Sequence, residues 1–263
     1  EVENLTPHLR DAFEYPPPFL LLPRTALALT NDFLVIRTAW FMLQVPLFVA
    51  VALALAWRVG GERGRLAGLL LAAMLSSFPF LFDFQFGQFH LAAIAIALAG
   101  MLAFSSGRDR LGGALLGAAI VFKIFPALLL VYLAIRRRGR PVLWTVAFAA
   151  VYALLGLLVL GVAPYRAFFA YHLPRVASGE AFAFFLDDDL TVAANASVWA
   201  IPCKLERLGV PGVSGAIAGP LVWTYTALLL GATVVAARRV RDFALEPAVW
   251  LALLTLAALR SPD

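Results

Sequence analysis

An apolar stretch of 25 residues lies between two arginine clusters, Arg108 with Arg110 and Arg136, Arg137, Arg138 with Arg140, and its centre reads Lys123-Ile124-Phe125-Pro126. Basic clusters stay on the cytoplasmic side of a membrane, so a segment held between two of them should enter and return rather than cross. Pro126 supplies the break. It removes an intrahelical hydrogen bond and disfavours helical geometry at Phe125, which predicts two half-helices meeting near the lysine. From Leu111 to Lys123 is 12 residues, about 18 Å of helix, which lifts the ammonium past the midplane of a hydrocarbon core about 30 Å thick. A lysine at that depth costs about 2.5 to 3.5 kcal/mol on insertion scales, so it is expected to face a polar cavity or an anionic partner. The plainer alternative is a structural lysine satisfied by backbone carbonyls at the break.

With 62% hydrophobic and 14% charged residues, and several apolar runs near the 20 residues that a membrane helix needs, the chain reads as a polytopic all-α membrane protein. The net charge of +5 is no nucleic-acid footprint: twelve of the 21 basic residues fall in four short loops, as the orientation rule expects of cytoplasmic faces. A single cysteine, Cys203, excludes an internal disulfide and a cysteine metal site. His8, His90 and His172 have no metal-ligand spacing, so no metal is expected. The opening Glu1 to Glu14 has neither a charged leader nor an apolar signal core, and the last apolar run after Pro247 is short for a span. Residues 1–263 are therefore read as one transmembrane domain, an internal piece lacking an N-terminal helix and loop and the C-terminal helices of a longer parent.

The loops set the topology. Residues 1 to 31, acidic and proline-rich, fit the outer face; a run from Asp32 to Trp57, with Pro46 kinking it, descends to Arg58, Arg63 and Arg65. Leu66 to Phe82 climbs back, and Asp83 to His90 lies outside before Leu91 to Phe104 returns to Arg108. After the broken hairpin, Pro141 to Val162 crosses outward into a long extracytoplasmic loop, Ala163 to Gly212, whose mixture of aromatic and charged residues predicts membrane-hugging structure. Gly215 to Ala237 ends at Arg238, Arg239 and Arg241, so all four arginine clusters share one side.

Polar residues then collect at the outer ends of the helices: Tyr15, Asp83, Gln85, Gln88 and His90, with Arg166, His172, Arg175, Asp187, Asp188, Asp189 and Asn195 in the long loop, and Lys123 pointing towards them. Irregular backbone at membrane depth survives where it lines a cavity or is buried in protein, so this is the layout of a pocket above a re-entrant hairpin. It suits a lipid phosphate: lysine offers a compact charge, arginine bidentate contacts, and amide or imidazole groups orient sugar hydroxyls. Each residue also has a plainer reading. Gln88 and His90 can cap helices, the triple aspartate can be a calcium or magnesium ligand set but is more often a solvated loop acid or an N-cap, and Arg166 and Arg175 can be interface anchors.

The order Tyr15-Pro16-Pro17, Gly87-Gln88, Leu111-Gly112-Gly113-Ala114-Leu115-Leu116-Gly117-Ala118-Ala119, Lys123-Ile124-Phe125-Pro126, Asn195-Ala196-Ser197 and Ser261-Pro262 resembles glycosyltransferase family 87 of the GT-C superfamily, over essentially the whole chain. The resemblance implies a multi-span enzyme of the cell membrane. It would move a hexose, typically mannose, from a polyprenyl-phosphate donor to a hydroxyl of a glycolipid or glycan acceptor, with inversion, on the extracytoplasmic side. Partners would be those two substrates and the bilayer; neither a nucleotide nor a metal cofactor is implied. His90 stands where the family has asparagine, and Ala196 where it has glutamine.

The resemblance also assigns roles. Lys123 and one or more of Arg166, His172 and Arg175 would hold the phosphate, Gln88, His90 and Asn195 would orient sugar or acceptor, and Tyr15 is a further substrate-binding candidate. The catalytic base in the family is an aspartate well upstream of the Tyr-Pro-Pro motif, which here falls before Glu1; Asp11 and Asp83 are the weaker candidates within the chain. The alternative from another class is a transporter or flippase of lipid-linked sugars, whose inverted repeat the sequence does not show.

Overall fold

The computed structural model describes residues 15–260 except 76, 78, 79, 82, 83, 85, 86, 179, 183–191, 194, 241, 243 and 244. Asp11, Asp83, Gln85, Asp187, Asp188, Asp189, Ser261 and Pro262 therefore lie outside the described residues.

The chain is all-helical. After a 3-10 turn at Pro17–Leu20 come α1 (Leu21–Leu29), α2 (Phe33–Val59), α3 (Gly61–Leu75), α4 (His90–Ser105), α5 (Asp109–Phe122), α6 (Ala127–Ile135) and α7 (Gly139–Leu160). The long loop holds α8 (Ala163–Ala167), a π-helical turn at Phe168–His172, α9 (Leu173–Ser178) and α10 (Ala200–Arg207). Then follow α11 (Ala218–Arg239) and α12 (Glu246–Ala258). Among the described residues three stretches can cross a membrane by length and composition: Phe33–Val59, Gly139–Leu160 and Gly215–Arg239.

Local chemistry sets the element ends. Asp32 caps α2, its Oδ1 accepting from the backbone N–H groups of Leu34 at 2.8 Å and Val35 at 3.3 Å, a contact worth about 1 kcal/mol. At the other end Gly60 and Gly61, both with positive φ, turn the chain directly into α3. The climb begins at Gly61 rather than at Leu66, so Arg63 and Arg65 ride on the helix instead of in a loop.

The central break is where the sequence places it. The α5 helix stops at Phe122; Lys123 is extended at φ −148 and ψ 127, and Pro126 caps α6. The direction of α5 follows from its neighbours. A Cβ at Gly113 would meet Trp144, one at Gly117 would meet Thr145 and Ala149, and the Phe122 ring stands 6.4 Å from Tyr152. These pairs rise together, so α5 and α7 run parallel, and the chain must come back between them. The α6 helix is that return.

Glycine lets α5 fit between two neighbours. At Gly112 a Cβ would strike the Phe104 ring of α4, and at Gly100 of α4 it would come within 3.0 Å of the Gly112 carbonyl. Without a hydrophobic force between helices in lipid, such small-residue seams supply close van der Waals contact. Among the described residues the two legs of the hairpin splay: α5 lies between α4 and α7, while α6 packs on α11, α12 and the base of α7. Its Leu129, Tyr132 and Leu133 are buried with Leu98, Met101, Leu229, Trp250 and Leu254 in the main core.

The helix ends sort into two groups. At one end Arg136 meets Glu246 and the Val240 carbonyl, and Arg110 covers Trp144. Arg58 lies within electrostatic reach of the same Glu246. All four arginine clusters thus gather there, as the loop charges require. The opposite end carries Tyr15, Gln88, Lys123 and the long loop.

Candidate active site

Three prolines bring Tyr15 to the hairpin tip. Phe19 N–H donates to the Pro16 carbonyl at 2.9 Å, closing the 3-10 turn, and Pro18 is buried against Gly156 of α7. A Cβ at Gly156 would strike the Tyr165 hydroxyl and stand 3.3 Å from the Pro18 Cα. Tyr15 then stacks on Phe19, ring centres 4.1 Å apart, and its hydroxyl donates to Gln88 Oε1 at 3.1 Å.

Lys123 completes the group. Only 5% exposed, it places Nζ 4.3 Å from the centre of the Tyr15 ring. A desolvated cation–π contact of this kind contributes about 2 kcal/mol, comparable with the insertion cost of a lysine at depth. The aromatic face holds the ammonium in place. Phe122, one residue earlier, is level with Tyr152, the fourteenth of the 22 residues of α7, about 20 Å from the arginine end. The ammonium therefore stands about two thirds of the way along the bundle.

An aromatic floor supports the group. Phe89, 1% exposed, meets Phe19 edge-on at 5.2 Å and Phe122 edge-on at 5.9 Å, and stacks with Trp40 at 5.8 Å. Trp40 Nε1 donates to the Gly87 carbonyl at 3.0 Å. Gly87 has φ +68, so only glycine takes this conformation without strain, and Gln88 follows at the start of the next helix. The Gly-Gln pair is thus built by a turn that presents an amide to Tyr15. His90 is stacked on Phe125 at 6.0 Å, on the far side of the Lys123 break.

The long loop supplies the remaining candidates. Arg166 is exposed on α8; the neighbouring Tyr165 hydroxyl donates to the Ala153 carbonyl at 2.6 Å, and burial pushes its phenol up from the usual range. His172 is buried beside Phe168, ring centres 5.6 Å apart, in the π-helical turn. Arg175 is also buried: its guanidinium lies over the Tyr171 ring at 4.7 Å, hydrogen-bonds that hydroxyl, and pairs with Glu180 at 3.3 Å. Asn195 has a local use, its Oδ1 accepting from Ser197 N–H at 2.8 Å. Next to Ser197, Val198 N–H donates to the Leu259 carbonyl at 2.8 Å, so Asn195-Ala196-Ser197 lies beside the end of α12.

The structure therefore joins Tyr15, Gln88 and Lys123 directly and sets His90 one ring away. Arg175 contacts Tyr171 and Glu180 of its own loop. Sequence reading missed the aromatic floor: Phe19, Trp40, Phe89 and Phe122 look like ordinary apolar membrane residues. The one signal available was their spacing next to Pro16, Gly87 and Lys123.

Comparison with curated proteins and with solved structures gives no match. The profile of glycosyltransferase family 87 matches residues 13–262, from two residues before the tyrosine that seats Lys123 to the end of the last helix and beyond. The chain belongs to glycosyltransferase family 87, and it is a helical membrane glycosyltransferase.

Proposed function

We propose that the chain transfers a hexose, mannose by family likeness, from a polyprenyl-phosphate donor to a hydroxyl of a glycolipid or glycan acceptor, with inversion, at the extracytoplasmic face of the cell membrane. The observation that carries this reading is the buried Lys123 ammonium at the hairpin tip, against Tyr15 and at the end away from the arginines. A cation at that depth meets a lipid phosphate whose tail stays in the bilayer. Soluble nucleotide sugars carry no such tail.

The step is one displacement. The acceptor oxygen attacks the anomeric carbon, the bond from that carbon to the phosphate oxygen breaks, and the acceptor proton passes to an aspartate. The polyprenyl phosphate leaves with the bonding electrons. Lys123 stabilises its charge, with Arg166, His172 and Arg175 as further donors from the loop. Gln88, held by Tyr15, orients sugar hydroxyls together with His90 and Asn195. By family likeness the base is an aspartate, and Asp11 and Asp83 are the candidates within the chain.

The test is Lys123→Met in the full-length protein, assayed in membranes with a polyprenyl-phosphate-linked mannose. Transfer should fall by at least a hundredfold, the scale of one lost charge-stabilising donor, with insertion unchanged. Unaltered transfer would remove the lysine from the mechanism and with it the reading.

A further inference from the structure

We infer that the arginine end holds a site for the headgroup of an anionic phospholipid, in the leaflet on that side, at the base of the hairpin leg that rises to Lys123. The ends of α4, α6 and α12 leave a cleft there. Its floor is apolar, from Met101, Leu133 and Trp250, each no more than 4% exposed. Its rim is ionic, from Arg136, Arg138 and Glu246.

The rim is built rather than incidental. Arg136 Nη2 pairs with Glu246 Oε1 at 3.0 Å, and Nη1 donates to the Tyr132 hydroxyl at 3.2 Å and to the Val240 carbonyl. That fixes one guanidinium and neutralises one carboxylate. Arg138 is exposed at the mouth, and Arg58 adds its charge towards Glu246. Among the described residues, eleven arginines of the four clusters stand across this end against four acids, Glu62, Asp109, Asp242 and Glu246. So large an excess of one sign at headgroup depth calls for anions.

Charge alone would suit free phosphate equally well. The membrane decides for a lipid: the cleft opens where α4, α6 and α12 end beside the basic segments that flank the spans, so a glycerol phosphodiester anchored by its acyl chains in that leaflet brings its phosphate to Arg138 at the rim. Occupancy would clamp α6 at its base, since Arg136 ends that helix and ties it to α12. This inference is independent of the donor and acceptor sugars.

The experiment uses the full-length protein purified in mild detergent, with native mass spectrometry after brief exposure to phosphatidylglycerol or to phosphatidylcholine, and melting measured in nanodiscs of each composition. Phosphatidylglycerol should be retained and should raise the melting temperature. Arg138→Gln should weaken its retention about fivefold, the scale of one basic residue near an anionic surface. The double variant Arg63→Gln/Arg65→Gln, which removes charge at the same end but outside the cleft, should keep it. Equal losses in both variants would reduce the effect to general surface charge and overturn the site. Reproduction of the stabilisation by inorganic phosphate or glycerol phosphate would overturn the lipid assignment.

Discussion

Lys123 Nζ lies 4.3 Å from the centre of the Tyr15 ring, and the hydroxyl of that ring donates to Gln88, so one tyrosine joins three separate segments of the family pattern. The two contacts can be separated by substitution. Tyr15→Phe keeps the π face and loses a hydrogen bond worth about 0.5 to 1.5 kcal/mol; Tyr15→Leu also loses the cation–π contact. Transfer by the full-length enzyme should fall severalfold in the first and at least tenfold further in the second. Equal rates for the two would show that the ring face does not position the ammonium.

Gly117 sets how closely the rising leg meets α7. A Cβ there would stand 3.0 Å from the Thr145 carbonyl and from the Ala149 nitrogen, both backbone atoms that no rotamer change can move. Gly117→Ala should lower stability by about 1 to 3 kcal/mol, the usual cost of overpacking, read as an earlier thermal transition in detergent. Gly219, with open space around it, is the control and should tolerate alanine.

Gln44 is polar, 3% exposed, and sits within the Phe33–Val59 span, with no hydrogen-bond partner for its Oε1 among the described residues. Replacing it with leucine removes a buried amide oxygen that pays desolvation without return. Gln44→Leu should therefore raise stability by about 1 kcal/mol, measured by thermal unfolding. A loss of similar size would mean that the amide serves a buried water or a bound hydroxyl.

Cys203 gives a pH dependence with a definite sign. It is 2% exposed on α10, and burial, then the nearby Glu206 carboxylate, pushes its thiol pKa up. Below the unfolded value of about 8.5 the thiol is neutral in both states and contributes nothing. Above it the unfolded chain ionises first, so stability falls as pH rises, by up to about 1.4 kcal/mol per pH unit. Cys203→Ala should flatten the stability profile above about pH 8.5, and maleimide should label the native thiol only slowly.

How much of this was legible in the sequence depends on how local the cause is. The break at Lys123 could be read because Pro126 acts on its immediate neighbours, and the helices stop and restart on either side of it. The α3 start could not, because the corner at Gly60 and Gly61 needs no loop residues and the arginines beyond it resemble a loop. The short helices of the 163–212 loop have too few turns to show a period. The site was legible as residue types and not as contacts: Tyr15, Gln88 and Lys123 were all chosen, yet nothing in their order says that one ring serves the other two. Asn195 shows the reverse, a motif residue whose Oδ1 closes a local turn with Ser197 N–H.

The hairpin itself makes the sharpest expectation about sidedness. If α5 rises and α6 returns, the residues at the two bases share one face of the membrane, although 31 positions separate Arg108 from Arg140. An uninterrupted crossing would put them on opposite faces and would bring Arg140 to the same face as the Tyr15 and Gln88 loops. Both arginines are exposed and outside the core. In a Cys203→Ala background, Arg108→Cys and Arg140→Cys should react with a membrane-impermeant maleimide only once the cytoplasmic side is opened. Arg166→Cys, on α8 beyond the far end of α7, should react in intact cells. Labelling of Arg140→Cys from outside would straighten the hairpin and take the ammonium of Lys123 out of its seat.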